Sequence, residues 1–390
     1  MARVLILGGG FGGLAAAHEL RSLLPDAEVT LVDRNDRFFM GFAKIWDLSG
    51  FRPLSEGSMP LSNLTKRGVR FVQGEITAID PEGLRAKTSQ GTLEADALVV
   101  ALGAGVPPRH ADLLRAEGAH DLYDGRALPA IRAALDGIGP PGDPGITGDA
   151  TVLVSILGMP IKCPPAPYEA ALAIDEVLRR RGVRDAVRLV VTTPQPMTLP
   201  VAGRDASQYV AGHLADAGIE FLPQHVLKDV DGGRRVATFE NGAEIGYSVL
   251  LGVPGCEPPP VVRQGPLAAQ SGWVEPDRLT LRTSFPRVYA VGDCTAVPTA
   301  KFQLPKAGVF AAAEAEVAAR NIAADLGAGE PAMFDGHGFC FLELPGRRVA
   351  YVEGDFYAEP DSDVHMTEAD EAQFLRKQEF ERSRLAAWLG

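Results

Sequence analysis

The first thirteen residues constrain this chain most. Val4–Leu7 is an apolar run with strand character, and Gly8, Gly10 and Gly13 follow it as G-x-G-x-x-G. Gly8 allows a tight turn, Gly10 lets the backbone approach a pyrophosphate, and Gly13 lets a helix pack closely on the strand before it. A helix is expected from about Gly12, with a phosphate at its N-terminus, where unpaired N–H groups and the helix dipole favour an anion. A second strand, Glu28–Val32, leads directly to Asp33. A carboxylate at that distance past the last glycine suits the ribose hydroxyls of an adenosine. The same segment resembles a short signal peptide: one Arg, an apolar run, then small residues. However, all six residues from 8 to 13 are Gly or Phe, poor helix chemistry for a signal core. On the strand–turn–helix reading the start of the chain is used up, so no removable leader is expected.

A length of 390 residues suggests two or three domains. The net charge of −12 argues against a general binder of nucleic acid or anionic lipid. No run of 18 apolar residues is present, so no membrane span is expected. Four cysteines (163, 256, 294 and 340) are too few for a secreted disulfide scaffold, and none has C-x-x-C or Cys/His spacing, so no metal site is expected.

Further strands follow. Val69–Gln73 and Glu75–Asp80 read as short strands. Asp96–Gly103 is a continuous apolar run ending in Gly, as expected of a parallel strand that delivers its end to a ligand. Val288–Asp293 is another apolar strand, ending in Gly292-Asp293 ahead of a helix over Gly308–Leu326. Ligands of open α/β sheets bind at such strand ends. The residues expected around a dinucleotide are Gly8, Gly10, Phe11, Gly12, Gly13, Asp33, Arg34, Ala78, Ala101, Gly103, Gly292 and Asp293.

The first glycine motif, the strand ending at Gly103 and V-Y-A-V-G-D-C-T at 288–295 together resemble the FAD-dependent pyridine nucleotide–disulfide oxidoreductase superfamily, over nearly the whole chain. That resemblance implies an α/β fold with two Rossmann-like domains and a small α+β C-terminal domain. The FAD-binding domain is expected over 1–108 and 276–328, a second Rossmann-like domain over 109–275, and the C-terminal domain over 329–390. Asp293 takes the flavin ribityl chain by resemblance.

The second dinucleotide motif is broken. After the strand Ala150–Ile156 comes Leu157-Gly-Met-Pro-Ile-Lys-Cys163-Pro-Pro-Ala-Pro-Tyr-Glu169. One glycine survives, and four prolines stiffen the turn and remove N–H donors that a pyrophosphate needs. The segment K-C-P-P-A-P-Y-E is similar to the cysteine segment of sulfide:quinone oxidoreductases and of the flavoprotein subunit of flavocytochrome c sulfide dehydrogenase. Cys340, far downstream, resembles their second cysteine, and Pro305-Lys306-Ala-Gly308 matches a further motif. Lys162 and a helix start at Tyr168 (to Arg181) are expected to favour the Cys163 thiolate. Cys256 and Cys294 are expected to pack. Glu169 reads equally as a catalytic base or as a first-turn residue stabilised by the helix dipole.

The resemblance implies a flavoenzyme that oxidises sulfide, or another small sulfur compound, through a Cys163–Cys340 pair and passes electrons to a quinone or cytochrome c. Lys306 would stabilise negative charge on the flavin. FAD is expected to be non-covalent, because Phe38–Asp47 and His110–Leu128 contain no cysteine. A type II NADH:quinone oxidoreductase-like flavoenzyme and a flavin-binding electron-transfer protein without sulfide activity are the alternatives. At the C-terminus, a hairpin over Gly338–Leu344 and Arg347–Phe356 precedes a helix opened by a capping box at Thr367–Asp370. Its apolar face is expected to hold Phe374, Leu375, Leu385, Ala386, Trp388 and Leu389, packed on the protein rather than on lipid. A cytoplasmic location is expected, with peripheral contact at the inner face of a membrane and a homo-oligomer left open.

Overall fold

Short runs of branched apolar residues form the central parallel strands here, buried on both faces by other elements. The computed structural model describes residues 1–139 and 150–390. In chain order the elements that place the site are β1 (Arg3–Leu7), α1 (Phe11–Leu23), β2 (Glu28–Asp33), α2 (Ala43–Ser49), β3 (Val69–Gln73), β4 (Ala97–Val100) and β5 (Ala119–Asp121). They continue with β6 (Ala150–Ile156), α3 (Ala166–Arg180), β7 (Val187–Thr192), β8 (Glu220–Leu222), β9 (Val249–Val253), β10 (Val288–Ala290) and α4 (Gly308–Asp325). The C-terminal elements are β11 (His337–Leu344), β12 (Arg348–Asp355), β13 (Asp363–Met366) and α5 (Glu371–Leu389).

Two five-stranded parallel sheets have the orders β10-β4-β1-β2-β3 and β5-β9-β6-β7-β8. In each, the chain winds outward from a central strand and then returns to its other side. The reversal, between β1 and β4 and between β6 and β9, opens a crevice at the carboxyl ends of the strands. The first sheet takes its edge strand β10 from far along the chain, so the fold of residues 3–100 is completed by residue 290. The strand expected over Glu75–Asp80 forms at Ile76–Asp80, in a small antiparallel sheet with Arg85–Thr88 and Gly91–Glu94.

The C-terminal part differs from expectation at three points. A third strand, β13, pairs with β12. The N-cap of α5 is Asp370, whose Oδ1 accepts from the Gln373 N–H; Thr367 Oγ1 instead accepts from the Tyr351 N–H. Leu375 and Ala386 point outward, and the inward face is Phe374, Lys377, Glu381, Leu385, Trp388 and Leu389, with two charges on it. This face packs on the protein: Trp388 meets Phe11 and Phe38 edge-on, at 5.7 and 6.0 Å. Among the described residues no helix is long and apolar enough to cross a membrane.

Candidate active site

The turn after β1 is built as its glycines require. Gly8 has φ +111°, and a Cβ there would lie 2.2 Å from the Ala101 carbonyl oxygen. A Cβ on Gly13 would lie 1.8 Å from the Gly8 oxygen, so strand and helix touch through bare backbone. A Cβ on Gly10 would meet nothing within 4 Å, because it faces open space. Asp33 fastens the turn: Oδ2 accepts from the Gly9 N–H at 2.6 Å and Oδ1 from the Asn35 N–H at 2.7 Å.

Two clefts meet over this turn and share Arg34, Ala104 and Gly105 as walls. One, of about 660 Å³, is lined by Gly8, Asp33, Arg34 and Ala78. The other, of about 570 Å³, is lined by Gly10, Phe11, Gly12, Ala101 and Gly103 on one side and by Gly292, Asp293 and Lys306 on another. Gly13 alone of the expected residues lies beneath the surface rather than on it. A long, two-ended molecule with a phosphate middle fits these joined clefts and the open space above Gly10.

The turn after β6 starts from the same position and ends differently. Leu157, Met159 and Lys162 occupy the steps that Gly8, Gly10 and Gly13 occupy after β1. A lysine cannot stand where the first domain tolerates no Cβ, so the turn opens. Helix α1 begins four residues after β1 ends, and α3 begins ten after β6 ends. The six additional residues carry Cys163 into the cleft that Gly10, Asp293 and Lys306 line. The Cys163 N–H donates to the Lys306 carbonyl at 2.8 Å, and Cys163 adopts φ +47°. Lys162 Nζ reaches away to the Ala104 carbonyl at 2.7 Å. In the crevice between the ends of β6 and β9 stands His110: its ring lies 2.7 and 3.0 Å from where Cβ atoms on Gly158 and Gly255 would be. The Gly255 N–H donates to its Nδ1 at 3.0 Å.

Cys163 and Cys340 line the same cleft as free thiols. The Cys163 thiol is held well above its usual range, first by a hydrogen bond with the Cys340 thiol, then by burial and by Glu169. This corrects the expected thiolate: the Lys162 ammonium is turned away, and a second thiol and a carboxyl face the sulfur instead. A buried cation near the sulfur is Lys377 of α5, which the sequence reading missed. Its Nζ is 2.8 Å from Glu343 Oε2 and 3.5 Å from Glu169 Oε1, with the lysine and Glu169 side chains only 1 % exposed. Burial would lower the ammonium's affinity for its proton, but Glu343 and Glu169 reverse this and raise it. Burial raises the Glu169 carboxyl, against the pull of Lys377 and the Glu343 N–H, which donates to Oε1 at 2.7 Å. Glu169 sits in the first turn of α3, but its side chain serves β11 and the cleft rather than the helix end.

Lys306 is buried, and its Nζ donates to the carbonyls of Asp293 and Thr295 at 3.0 and 2.9 Å, 3.6 Å over the Trp273 ring centroid. Its charge thus sits under the Gly292–Thr295 turn. Cys294 packs in the core, its thiol donating to the Val100 and Val291 carbonyls, and burial pushes it up to about 12. Burial pushes Cys256, in the cleft wall, up to about 11.

This geometry can be set beside known proteins. The chain is 26 % identical to the mitochondrial sulfide:quinone oxidoreductase of Mus musculus, over 92 % of this chain and 79 % of that protein. It is 27 % identical to the sulfide-quinone reductase of Aquifex aeolicus, over 83 % and 76 %. A type II NADH:quinone oxidoreductase of Staphylococcus aureus is 22 % identical, over 82 % and 81 %. The crystal structure of the Aquifex aeolicus sulfide:quinone oxidoreductase superposes with a TM-score of 0.83 at 23 % identity, covering 98 % of this chain and 90 % of that one. The pyridine nucleotide-disulphide oxidoreductase profile matches residues 2–134 and 168–317, which leaves out the rebuilt turn around Cys163. With its two Rossmann sheets and the joined clefts over the first glycine turn, the chain belongs to the pyridine nucleotide-disulphide oxidoreductase family.

Proposed function

We propose that the protein is an FAD-dependent enzyme that oxidises sulfide through Cys163 and Cys340 and passes the electrons to a quinone. The observation that carries this reading is the replacement of a second phosphate turn by a turn that brings Cys163 to Cys340 in the cleft wall. The clefts fit FAD: Asp33, Arg34 and Ala78 at the adenosine end, the Gly8–Gly13 turn at the phosphates, and Gly292, Asp293 and Lys306 towards the ring. FAD, when bound, would take the electron pair that regenerates the disulfide and hand it to the acceptor. With no cysteine in the segments 38–47 and 110–128, it would be held non-covalently.

The chain's own part begins with the cysteines as a disulfide. Hydrosulfide attacks one sulfur, forms a persulfide on that cysteine and releases the other as thiolate. Lys377 steadies negative charge there, since its ammonium draws the Cys163 thiol towards the thiolate. Quinone reduction consumes two protons with two electrons. Glu169 Oε1, buried on the cleft wall and raised, can hold one of them. Phe42, Phe341 and Phe380 give the same cleft an apolar aromatic lip, with Phe341 and Phe380 centroids 5.7 Å apart, which suits a quinone ring better than a cytochrome surface. Action on the cytoplasmic side, with peripheral contact at the membrane that holds the quinone, belongs to this proposal.

The Staphylococcus relative motivates a second reading, with NADH as the donor. Against it stand Leu157, Met159 and Lys162 at the glycine steps and the His110 ring in the second crevice. Anaerobic mixing with sulfide, and separately with NADH, separates the two. The proposal expects flavin bleaching by sulfide and none by NADH; the reverse pattern overturns it.

A further inference from the structure

Cys163 carries an unusual backbone. A residue with a side chain rarely rests at φ +47°, and such a conformation persists only where its surroundings hold it. Here both peptide planes that flank the Cys163 Cα are tied. The Tyr123 hydroxyl donates to the Lys162 carbonyl at 2.5 Å and lies 3.3 Å from the Cys163 carbonyl. The Cys163 N–H, in the first of those planes, is held by the Lys306 carbonyl.

Tyr123 is itself fixed. Its N–H donates to Asp121 Oδ1 at 2.7 Å, and its carbonyl accepts from Lys44 Nζ at 2.7 Å. Burial keeps its hydroxyl protonated far beyond the usual range, so it stands as a permanent donor. Tyr123 also lines the cleft with Cys163 and Cys340.

We propose that Tyr123 is a positioning residue for the cysteine pair: its hydroxyl locks the left-handed backbone of Cys163 and so keeps that thiol aimed at Cys340. The proposal rests on reading the two cysteines as a redox pair. The link between backbone and chemistry is effective concentration. Closing the disulfide joins two thiols with loss of two hydrogens, and a partner such as oxidised dithiothreitol takes these up to become the dithiol. The tighter the two sulfurs are held together, the more reducing the conditions in which the disulfide survives.

The test is Tyr123→Phe, which keeps the ring and removes only the hydroxyl. The protein, with FAD bound, is equilibrated in mixtures of reduced and oxidised dithiothreitol, and thiol labelling reads the fraction of closed disulfide. The expected result is a tenfold or larger fall in the ratio of reduced to oxidised dithiothreitol at the midpoint. Tenfold corresponds to about 30 mV towards a more oxidising couple. FAD content should be unchanged. Tyr247→Phe loses a comparable bond, to the Glu117 carbonyl at 3.0 Å, away from the cleft, and should leave the midpoint in place. If Tyr123→Phe does not purify with FAD, Asp121→Ala frees the Tyr123 N–H and should move the midpoint the same way. A midpoint within twofold of wild type in the variant tested overturns the positioning role while leaving the redox pair standing. A wild-type pair that never closes a disulfide in excess oxidised dithiothreitol overturns both.

Discussion

Glu169 Oε1 and Lys377 Nζ face each other 3.5 Å apart, and Glu343 Oε2 lies 2.8 Å from the same ammonium. Helices α3 and α5 and strand β11, distant from one another in the chain, thus share one buried cation. Trp46 Nε1 donates to Glu343 Oε2 at 2.8 Å and completes the group.

Lys377→Met should therefore be costly. It leaves two carboxyls buried without their cation, and breaking such a group from one side costs about 3–5 kcal/mol. Without the ammonium the Glu169 carboxyl holds its proton to higher pH, so the deficit should shrink as pH falls towards 5. Urea unfolding at pH 5 and pH 8 measures both effects; an equal deficit at the two values would contradict the account.

The glycines of the first turn should separate folding from cofactor binding. Gly10→Val places its side chain in open space, so the protein should fold with near-native circular dichroism and purify colourless. Gly13→Ala forces a Cβ onto the Gly8 carbonyl, where only backbone could yield, and should fail to accumulate as soluble protein. In the wild type, acid precipitation should release all yellow colour into the supernatant, as non-covalent FAD requires.

Changing either cysteine of the pair to Ser removes the disulfide that sulfide attacks. Flavin reduction by sulfide in stopped flow should fall by about two orders of magnitude or more in Cys163→Ser and in Cys340→Ser, and little further in the double variant, because the two act as one unit. Cys256→Ser should be near neutral. Wild-type rates in Cys163→Ser would remove the cysteines from the mechanism.

Glu314 supplies a pH dependence away from the cysteines. Its Oε2 accepts from the Gly292 N–H at 2.6 Å, and burial, against that bond, raises its carboxyl from the usual 4.5 to about 7. A carboxyl raised on folding binds its proton more tightly in the native state. Stability is thus intact below pH 4.5 and declines as pH rises from 4.5 to 7. The penalty above pH 7 is about 3 kcal/mol, from 1.36 kcal/mol per pH unit. Glu314→Gln can still accept from Gly292 and should flatten that decline, as read from unfolding midpoints between pH 5 and 8.

The local sequence determined much of this protein. β6 runs over the residues expected, and β1, β2, β10 and α4 lie close to expectation, because apolar runs, glycine turns and a carboxylate at fixed spacing are signals within one stretch of chain. The break in the second glycine motif was equally legible, since Leu157, Met159 and Lys162 visibly lack what a phosphate turn needs. The charge state of the Cys163 thiol was decided only in three dimensions: Lys162, its neighbour in sequence, turns away to Ala104, and Lys377, from the last helix of the chain, takes up the place beside it. Lys377 and Glu381 did leave a trace, as two charges among the apolar residues Phe374, Leu385 and Trp388 along one helix stripe, and a charge on such a stripe needs a buried partner. Which partner it finds depends on how β11, α3 and α5 meet. Tyr123 and His110 left no trace, because a hydroxyl bonded to a carbonyl distant in sequence and a ring wedged between two glycines have no periodicity. The chain by itself therefore determined its strands, its cofactor turn and its candidate sulfur residues. Tertiary packing decided their protonation and aim, because burial and charge contacts come from residues that only folding brings together.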